Sequence, residues 1–125
     1  MGLVTLKNRK DYLRVRGGVR WSNPAFLMEG KRRPTSADGE ACARFGFTVT
    51  KKMGNAVRRN RMRRRLKAAI SEVALGAADP TYDYVVVARS AAFDRDFKQL
   101  RADFKAAFRR IKKGPRPQKR QTGQN

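Results

Sequence analysis

The side chains best suited to bind phosphate are concentrated in residues 51–67, KKMGNAVRRNRMRRRLK. This stretch contains nine lysines and arginines and no acidic residue. An ordinary solvated helix face mixes the two charge signs, because like charges four residues apart, such as Arg61 and Arg65, destabilise a helix. Arginine predominates here, and its planar guanidinium binds phosphate in a bidentate manner and stacks on bases. The stretch therefore predicts contact with a polyanion.

The spacing within residues 51–67 also predicts how these charges are presented. Lys51 and Lys52 should end a strand, Gly54 allows a tight turn, and Asn55 can cap the helix that follows. The free N–H groups of a helix N-terminus attract phosphate. Asn60 can both donate and accept hydrogen bonds, so it can recognise RNA groups that a cation cannot. Four cations lie off the apolar stripe of the helix and should reach outward: Arg61, Arg64, Arg65 and Lys67.

Other kinds of chemistry lack the residues that they need. The chain has no histidine, the commonest general acid–base residue and metal ligand. Its single cysteine, Cys42, lies between two alanines and is interpreted as a small hydrophobe. The ten acidic residues are scattered, whereas metal-assisted hydrolysis usually needs clustered carboxylates. We therefore predict no catalytic residue and no metal ligand in the protein itself, which disfavours a self-sufficient nuclease.

Composition sets the class of protein and of partner. The chain has 125 residues, a formal net charge of +21 and 40% hydrophobic residues, which fits one domain with a modest core. A polyanion usually offsets such a charge, and nucleic acid is favoured over an anionic membrane. No apolar run approaches the roughly 20 residues that span a bilayer, and residues 1–10 have no apolar signal-peptide core. Because no intrachain disulfide is possible, we expect a cytoplasmic protein.

Hydrophobic periodicity predicts the elements that position the basic stretch. Residues 43–50 alternate apolar and polar side chains, as in a strand with one buried face, and the valine run 85–87 indicates a strand buried on both faces. In the helix that starts near Asn55, five residues form a core-facing stripe: Met62, Leu66, Ala69, Ile70 and Val73. Val57 lies off this stripe, so either the regular helix starts late or its first turn packs elsewhere.

The predicted fold is α+β, a single-domain α-β sandwich with one mixed sheet and about three helices in the order α-β-β-(β)-α-β-α. Asn8 should cap the first helix, and the connection at 30–40 is interpreted as hairpin-type. The domain should occupy residues 1–112, followed by a disordered basic tail at 113–125. The predicted segments are helix 6–16, extended 19–29, loop 30–40, strand 43–50, helix 55–74, strand 82–89 and helix 94–112.

The basic stretch resembles the signature of the bacterial ribonuclease P protein family. The run from Lys51 to Val57, followed by Arg59-Asn60-Arg61 and then Arg63, Arg64 and Lys67, is similar to the family's KKxGNAVxRNRxKR-like motif. Arg63 stands where lysine is common, which keeps the charge. The order of elements also agrees, over roughly residues 5–112.

This resemblance implies a division of labour between protein and RNA. It implies that the catalytic component of ribonuclease P is an RNA that works with Mg²⁺, and that the protein alone is inactive. The protein would bind that RNA and hold the single-stranded 5′ leader of precursor tRNA in a cleft between the first helix and the sheet. No membrane and no obligatory protein partner is expected. The fold would contain a left-handed βαβ crossover, where the general rule predicts a right-handed one.

Carried over residue by residue, the resemblance gives specific contacts. Tyr12 matches the aromatic that lines the leader cleft, although plain core packing would explain it equally well. Arg16 stands where some relatives have a second aromatic, and Glu29 is unexpected beside an anionic leader. The residues expected to contact the ribonuclease P RNA are Lys51, Lys52, Asn55, Arg59, Asn60, Arg61, Arg63, Arg64 and Lys67.

Two other nucleic-acid functions remain as alternatives. A ribosomal or other structural RNA-binding protein fits size, charge and basic tail equally well, and only the Arg-Asn-Arg stretch between two strands argues against it. An architectural DNA-binding protein could place the basic helix in a major groove. The strand-helix-strand setting is not a usual DNA-reading module, so this alternative is less favoured.

Overall fold

Five strands form one mixed sheet in the computed structural model, which describes residues 3–34 and 42–114. The strand order is β1-β4-β5-β3-β2, with β1 and β5 parallel to β4 and with β3 antiparallel to its neighbours β5 and β2. The α+β prediction is therefore confirmed. The strands are β1 Val4–Thr5, β2 Val19–Ser22, β3 Phe26–Arg32, β4 Arg44–Thr48 and β5 Tyr82–Ala88.

Three helices begin at side-chain caps that the sequence supplies. In α1, Arg9–Val15, the Asn8 side chain accepts the N–H of Asp11, as predicted. Asn55 caps α2, Ala56–Val73, and Asp96 caps α3, Phe97–Lys112. The last helix was predicted to begin at Asp94, but it begins at Phe97, directly after its cap Asp96. Residues 90–93 form a separate 3-10 turn before it.

The main core lies between one face of the sheet and the pair α2 and α3. The five predicted stripe residues of α2 are all buried there, beside Phe45, Phe47 and Val86 from the sheet. Phe104 of α3 stacks on Phe26 at a ring-centroid distance of 4.2 Å. Val57 is 78% exposed although α2 already begins at Ala56, so neither explanation offered for its position is right.

The other face of the sheet is covered in part by α1. A smaller cluster joins Val15 of α1 to Leu6 and Val85, with Tyr12 and Val87 packed against it. The central strand β5 is thus covered on both faces, which confirms the prediction from its valine run. Helix α2 and helix α1 consequently lie on opposite sides of the same sheet.

Three local predictions are wrong. Residues 30–40 do not join a hairpin, because β5 lies between β3 and β4 and β3 continues through Arg32. Lys51 and Lys52 do not end a strand but form a 3-10 turn with Met53. Strand β1 was not predicted, and the first helix starts at Arg9 instead of residue 6. Residues 35–41 of the predicted loop and 115–125 of the predicted tail lie outside the described residues.

Helix α2 provides the crossover between the parallel strands β4 and β5, as the family resemblance implies. The left-handed sense of this crossover stays a prediction. Asn23 closes the β2–β3 hairpin, because its side-chain oxygen accepts the N–H groups of Ala25 and Phe26 at 2.9 Å each. Pro24 lies in this turn, where its missing N–H breaks no ladder bond.

Candidate nucleic-acid interface

The entry to α2 is a turn held by arginine side chains. Gly54 has φ +130°, and a Cβ there would lie 2.5 Å from Cδ of Arg58, so only glycine fits. Arg58 donates from Nε to the carbonyl of Met53 at 2.8 Å, and Arg59 donates from Nε to the carbonyl of Gly54 at 3.0 Å. These two bonds fix the path of the chain into the helix, and they hold the Nε end of each arginine side chain in place.

The outward face of α2 carries four of the predicted contact residues. Asn60, Arg63, Arg64 and Lys67 follow the spacing of one helix face, on the side away from the core stripe. They line a shallow depression of about 450 Å³. The Asn60 side-chain oxygen accepts a hydrogen bond from Nη1 of Arg63 at 3.0 Å. This bond orients the Asn60 amide, so its NH₂ group remains a donor for a partner.

All nine residues predicted to contact RNA lie on the 3-10 turn, at the N-cap of α2 or within residues 56–67 of α2, and we call them the α2 surface. None of them forms an ion pair with a carboxylate of residues 3–34 or 42–114. The ion pairs of the described residues instead use arginines elsewhere. The α2 surface therefore keeps its positive charge, which suits a polyphosphate partner.

Two arginines of α2 face the protein. Arg65 was predicted to reach outward, but it donates to the main-chain carbonyls of Ala92, Phe93 and Arg95. The reason is the 3-10 turn after β5, whose free carbonyls lie beside this flank of α2. Arg58 stacks on the Phe93 ring, with Cζ 3.8 Å from the ring centroid. Both side chains anchor α2 to the segment between β5 and α3.

A second basic surface lies between α1 and the sheet, and we call it the α1 groove. It is open, with a volume of about 510 Å³, and its floor contains Val85 and Val87 of β5. Tyr12 of α1 and Arg16, the residue at the C-cap of α1, form one wall, one helical turn apart. Lys7 and Arg9 add charge where α1 begins. The groove thus combines an apolar floor, an aromatic ring and a cationic rim.

Tyr12 is both packed and accessible. Its ring lies on Gly46 of β4, where a Cβ would come within 2.6 Å of the tyrosine ring. Its hydroxyl accepts the N–H of Phe47 at 3.2 Å. Strand β1 is too short to pair with Phe47, so the tyrosine hydroxyl replaces the missing strand partner. The ring is only half-buried and lines the α1 groove.

Glu29 lies in the α1 groove, but its charge is matched. Its carboxylate accepts from Nη2 of Arg20 at 3.1 Å and from the N–H of Gly17 at 3.5 Å. Strand pairing places Arg20 directly opposite Glu29, which explains the contact. An anionic ligand in the groove therefore meets a neutralised pair.

The position of α1 depends on a buried carboxylate. Asp83 of β5 is 0% exposed and accepts hydrogen bonds from Arg14 of α1, Arg33 and Arg44. Burial raises the pKa of Asp83, but the bonds from the three guanidinium groups outweigh it and hold that pKa below its ordinary value. Asp83 thus ties α1 to the sheet and fixes one wall of the α1 groove.

Sequence reasoning missed most of this second surface. Arg16 and Glu29 were noted without a role, and the Asp83 cluster was not recognised because its partners are 39 to 69 residues away. The available signal was Arg16 at one helical turn from Tyr12. Within the described ranges there is no group of three or more Asp, Glu, His or Cys side chains that could hold a metal ion. The described helices include none long and apolar enough to cross a membrane.

Comparison with known proteins gives a consistent result. The family model described as ribonuclease P matches residues 3–112. The ribonuclease P protein component of Brucella suis is 46% identical over 102 residues, which cover 78% of this chain and 72% of that protein. The corresponding component of Bartonella quintana is 42% identical over 120 residues, covering 94% of this chain and 88% of that protein.

Solved structures show the same fold. An RNase P protein from Staphylococcus aureus, described as a mutant with defective mRNA degradation activity, superposes with a TM-score of 0.69 at 26% identity and covers 89% of each chain. The RNase P protein of Thermotoga maritima gives a TM-score of 0.68 at 24% identity, covering 84% of this chain and 96% of that one.

Proposed function

The chain belongs to the ribonuclease P protein family, the protein components of the endoribonuclease that removes the 5′ leader from precursor tRNA, and we propose that its two basic surfaces bind two different RNAs. The α2 surface would bind the RNA subunit of ribonuclease P, and the α1 groove would bind the leader of the substrate. The observation that carries this proposal is the presence of two cationic surfaces on opposite faces of one sheet. The alternative of a ribosomal protein is not favoured by these relatives.

The α2 surface suits a folded RNA with closely spaced phosphates. Its exposed arginines can bind phosphate oxygens in pairs, and the helix N-terminus beside Lys51 and Lys52 adds free N–H groups. Asn60 offers an oriented amide in the middle of the cationic face. Folded RNA presents phosphates, 2′-hydroxyls and base edges together, so this mixture of cations and one amide fits it.

The α1 groove suits a single strand. Single-stranded nucleic acid binds in charged grooves where bases stack on aromatic rings. Tyr12 supplies the ring, Val85 and Val87 an apolar floor, and Arg16 a cation at the wall. The leader of precursor tRNA is such a strand, whereas the tRNA body is base-paired.

We place the chemistry of cleavage on the RNA subunit. The chain has no histidine, and the described residues lack a carboxylate cluster for a metal-assisted mechanism. Mg²⁺ would act through the RNA, and the protein would supply affinity for substrate and neutralise charge. The protein alone would not cleave, and it would work in the cytoplasm without an obligatory protein partner.

Separate defects in the two surfaces test the proposal. Arg64→Ala combined with Lys67→Ala should weaken binding of the ribonuclease P RNA and leave the preference for leader-bearing over leaderless precursor unchanged. Tyr12→Ala should reduce that preference and leave RNA-subunit binding unchanged. Equilibrium binding of labelled RNA subunit, and of the two precursors to the assembled holoenzyme, measures both quantities. If both variants gave the same defect, the assignment of one RNA to each surface would be wrong.

A further inference from the structure

A third depression lies beyond the C-terminal end of α1, at the edge formed by β2 and β3, and we call it the edge pocket. It has a volume of about 490 Å³. Three of its lining residues are glycines, Gly17, Gly18 and Gly30. Neither the α2 surface nor the predicted leader contacts include any residue of this pocket.

Four cations from three elements line the edge pocket: Arg20 of β2, Lys31 and Arg32 of β3, and Arg110 of α3. Arg20 is already paired with Glu29. The remaining three, Lys31, Arg32 and Arg110, form no ion pair with any carboxylate in the described ranges. Among the residues that the structure describes, no acidic side chain lines the pocket. Three cations with no carboxylate partner in the described part of the chain create a local positive potential that an anion would offset.

The edge pocket also offers a planar group. The guanidinium of Arg32 lies over the Tyr82 ring, with Cζ 5.9 Å from the centroid, and Tyr82 in turn stacks on Tyr84 at 5.7 Å. A guanidinium held on an aromatic ring is a platform on which a nucleobase can stack. A simple anion needs only the charges, whereas a nucleotide uses both the charges and the platform.

The edge pocket adjoins the α1 groove around the edge of the sheet. Strand alternation places Glu29 on the α1 face, whereas Gly30, Arg32 and Tyr82 belong to the α3 face. Arg16 lines the groove, and the next residue, Gly17, lines the pocket. Glu29 belongs to the groove and Arg20 to the pocket, and their side chains meet at 3.1 Å. This ion pair joins the border of the groove to the border of the pocket. A strand lying along α1 would reach the pocket by turning around the sheet edge where the helix ends.

We propose that the edge pocket binds a nucleotide of single-stranded RNA, as a continuation of the leader path out of the α1 groove. Lys31 and Arg110 would contact backbone phosphates, and Arg32 on Tyr82 would stack with a base. The inference rests on the proposed binding of the leader in the α1 groove. It adds a second segment of the substrate, farther along the leader, that the protein recognises.

Precursor tRNAs whose leaders lengthen one nucleotide at a time test this inference in the assembled holoenzyme. The wild-type affinity should rise in two steps, one as the leader fills the α1 groove and one as it reaches the edge pocket. Lys31→Ala combined with Arg32→Ala should abolish the second step only. For the longest leaders it should also reduce the salt slope of substrate binding by about 0.7 units, because the single-strand phosphate contact of Lys31 is lost.

A matched control removes the same charges elsewhere. Lys105→Ala combined with Arg109→Ala deletes one lysine and one arginine that are exposed on α3 and do not line the edge pocket. This control should keep both steps and the wild-type slope. Lys31 and Arg32 are also exposed, so their replacement should leave the unfolding midpoint in urea unchanged. Should the double variant misfold, Lys31→Glu alone must still abolish the second step.

The outcomes separate this inference from the proposed function. If the first step is present and the second is absent in the wild type, or if the pocket variant matches its control, the edge-pocket inference is overturned alone. If leader length has no effect on wild-type affinity, the leader assignment and the inference both fail. A pocket variant that loses affinity for the RNA subunit, with both steps kept, would show that the pocket binds the other RNA and would overturn the inference as well.

Discussion

Replacing Arg61 and Arg64 together by alanine should weaken binding of the ribonuclease P RNA and flatten its dependence on salt. Both side chains are exposed, and neither pairs with a carboxylate of the described residues. Each phosphate contact contributes about 0.7–0.9 to the slope of log affinity against log salt, so two lost contacts lower the slope by about 1.4–1.8. Salt rises fourfold from about 50 to 200 mM. Over this range, the fold-loss of affinity should therefore be roughly 7 to 12 times larger for the wild type than for the variant.

Arg65→Ala is the matched control for this prediction. It removes the same group from the same helix, but Arg65 donates to the carbonyls of Ala92 and Phe93 instead of facing solvent. Its loss should leave the salt slope unchanged and lower the free energy of unfolding by about 1.5–3 kcal/mol, the range for hydrogen bonds to a charged group. Titration of labelled RNA over a salt series measures the slope, and urea denaturation measures the stability.

Two results would refute the reasoning about α2. A wild-type slope in the Arg61 and Arg64 double variant would show that these exposed arginines do not contact phosphate. A slope in Arg65→Ala that flattens by as much as one phosphate contact would show that the inward flank of α2 also binds RNA. The stability of the double variant should stay within about 0.5 kcal/mol of the wild type, since both sites are exposed.

Three further predictions concern the groove and the sheet. Tyr12→Ala should weaken leader-dependent substrate binding by about 1–3 kcal/mol if a base stacks on the ring. Tyr12→Phe should keep that binding and lose only the hydrogen bond from the Phe47 N–H. Urea denaturation should then show a free energy of unfolding lower by about 1 kcal/mol. Asp83→Asn should cost about 3 kcal/mol. Because the pKa of Asp83 is lowered in the folded state, its carboxylate stabilises the fold above pH 3.8, and this stability is lost as pH falls through the folded-state pKa. Asp83→Asn should therefore make the free energy of unfolding depend less on pH in acid. Burial raises the pKa of Tyr84 from 10.0 to about 12. The neutral phenol therefore stabilises the folded state below pH 10, and this stability is lost as pH rises to about 12. Tyr84→Phe should remove this alkaline dependence, about 3 kcal/mol by linkage, when unfolding is measured against pH.

The core could be predicted from the sequence because its signal is periodic and local. All five apolar stripe residues of α2 are buried. The valine run in β5 correctly indicated a central strand, and the caps Asn8 and Asn55 mark the helix starts that the sequence suggested. Each of these features is encoded within a few turns of helix or a few strand residues.

Strand β1 and the order of the sheet could not be predicted in the same way. A two-residue strand, Val4–Thr5, shows no measurable alternation. The insertion of β5 between β3 and β4 depends on which faces are covered, and the chain crosses from β4 to β5 through the whole of α2. The hairpin interpretation of 30–40 considered only the turn residues, which give no information on sheet order.

The direction of individual arginines also depends on tertiary context. Arg61 and Arg65 are both off the apolar stripe, yet Arg65 meets free carbonyls of a turn 27 to 30 residues away. Likewise, Glu29 seemed incompatible with an anionic ligand until strand pairing placed Arg20 against it. Helical spacing gives the angle of a side chain but not the neighbour that it meets.

Cleavage of precursor tRNA by a bacterial ribonuclease P RNA at low Mg²⁺, with and without this protein, tests the central claim most directly. We predict efficient cleavage at the 5′ end of the mature tRNA only when RNA and protein are both present, and none with protein alone. Unchanged cleavage on addition of a protein that still binds the RNA tightly and in a salt-dependent manner would contradict the account.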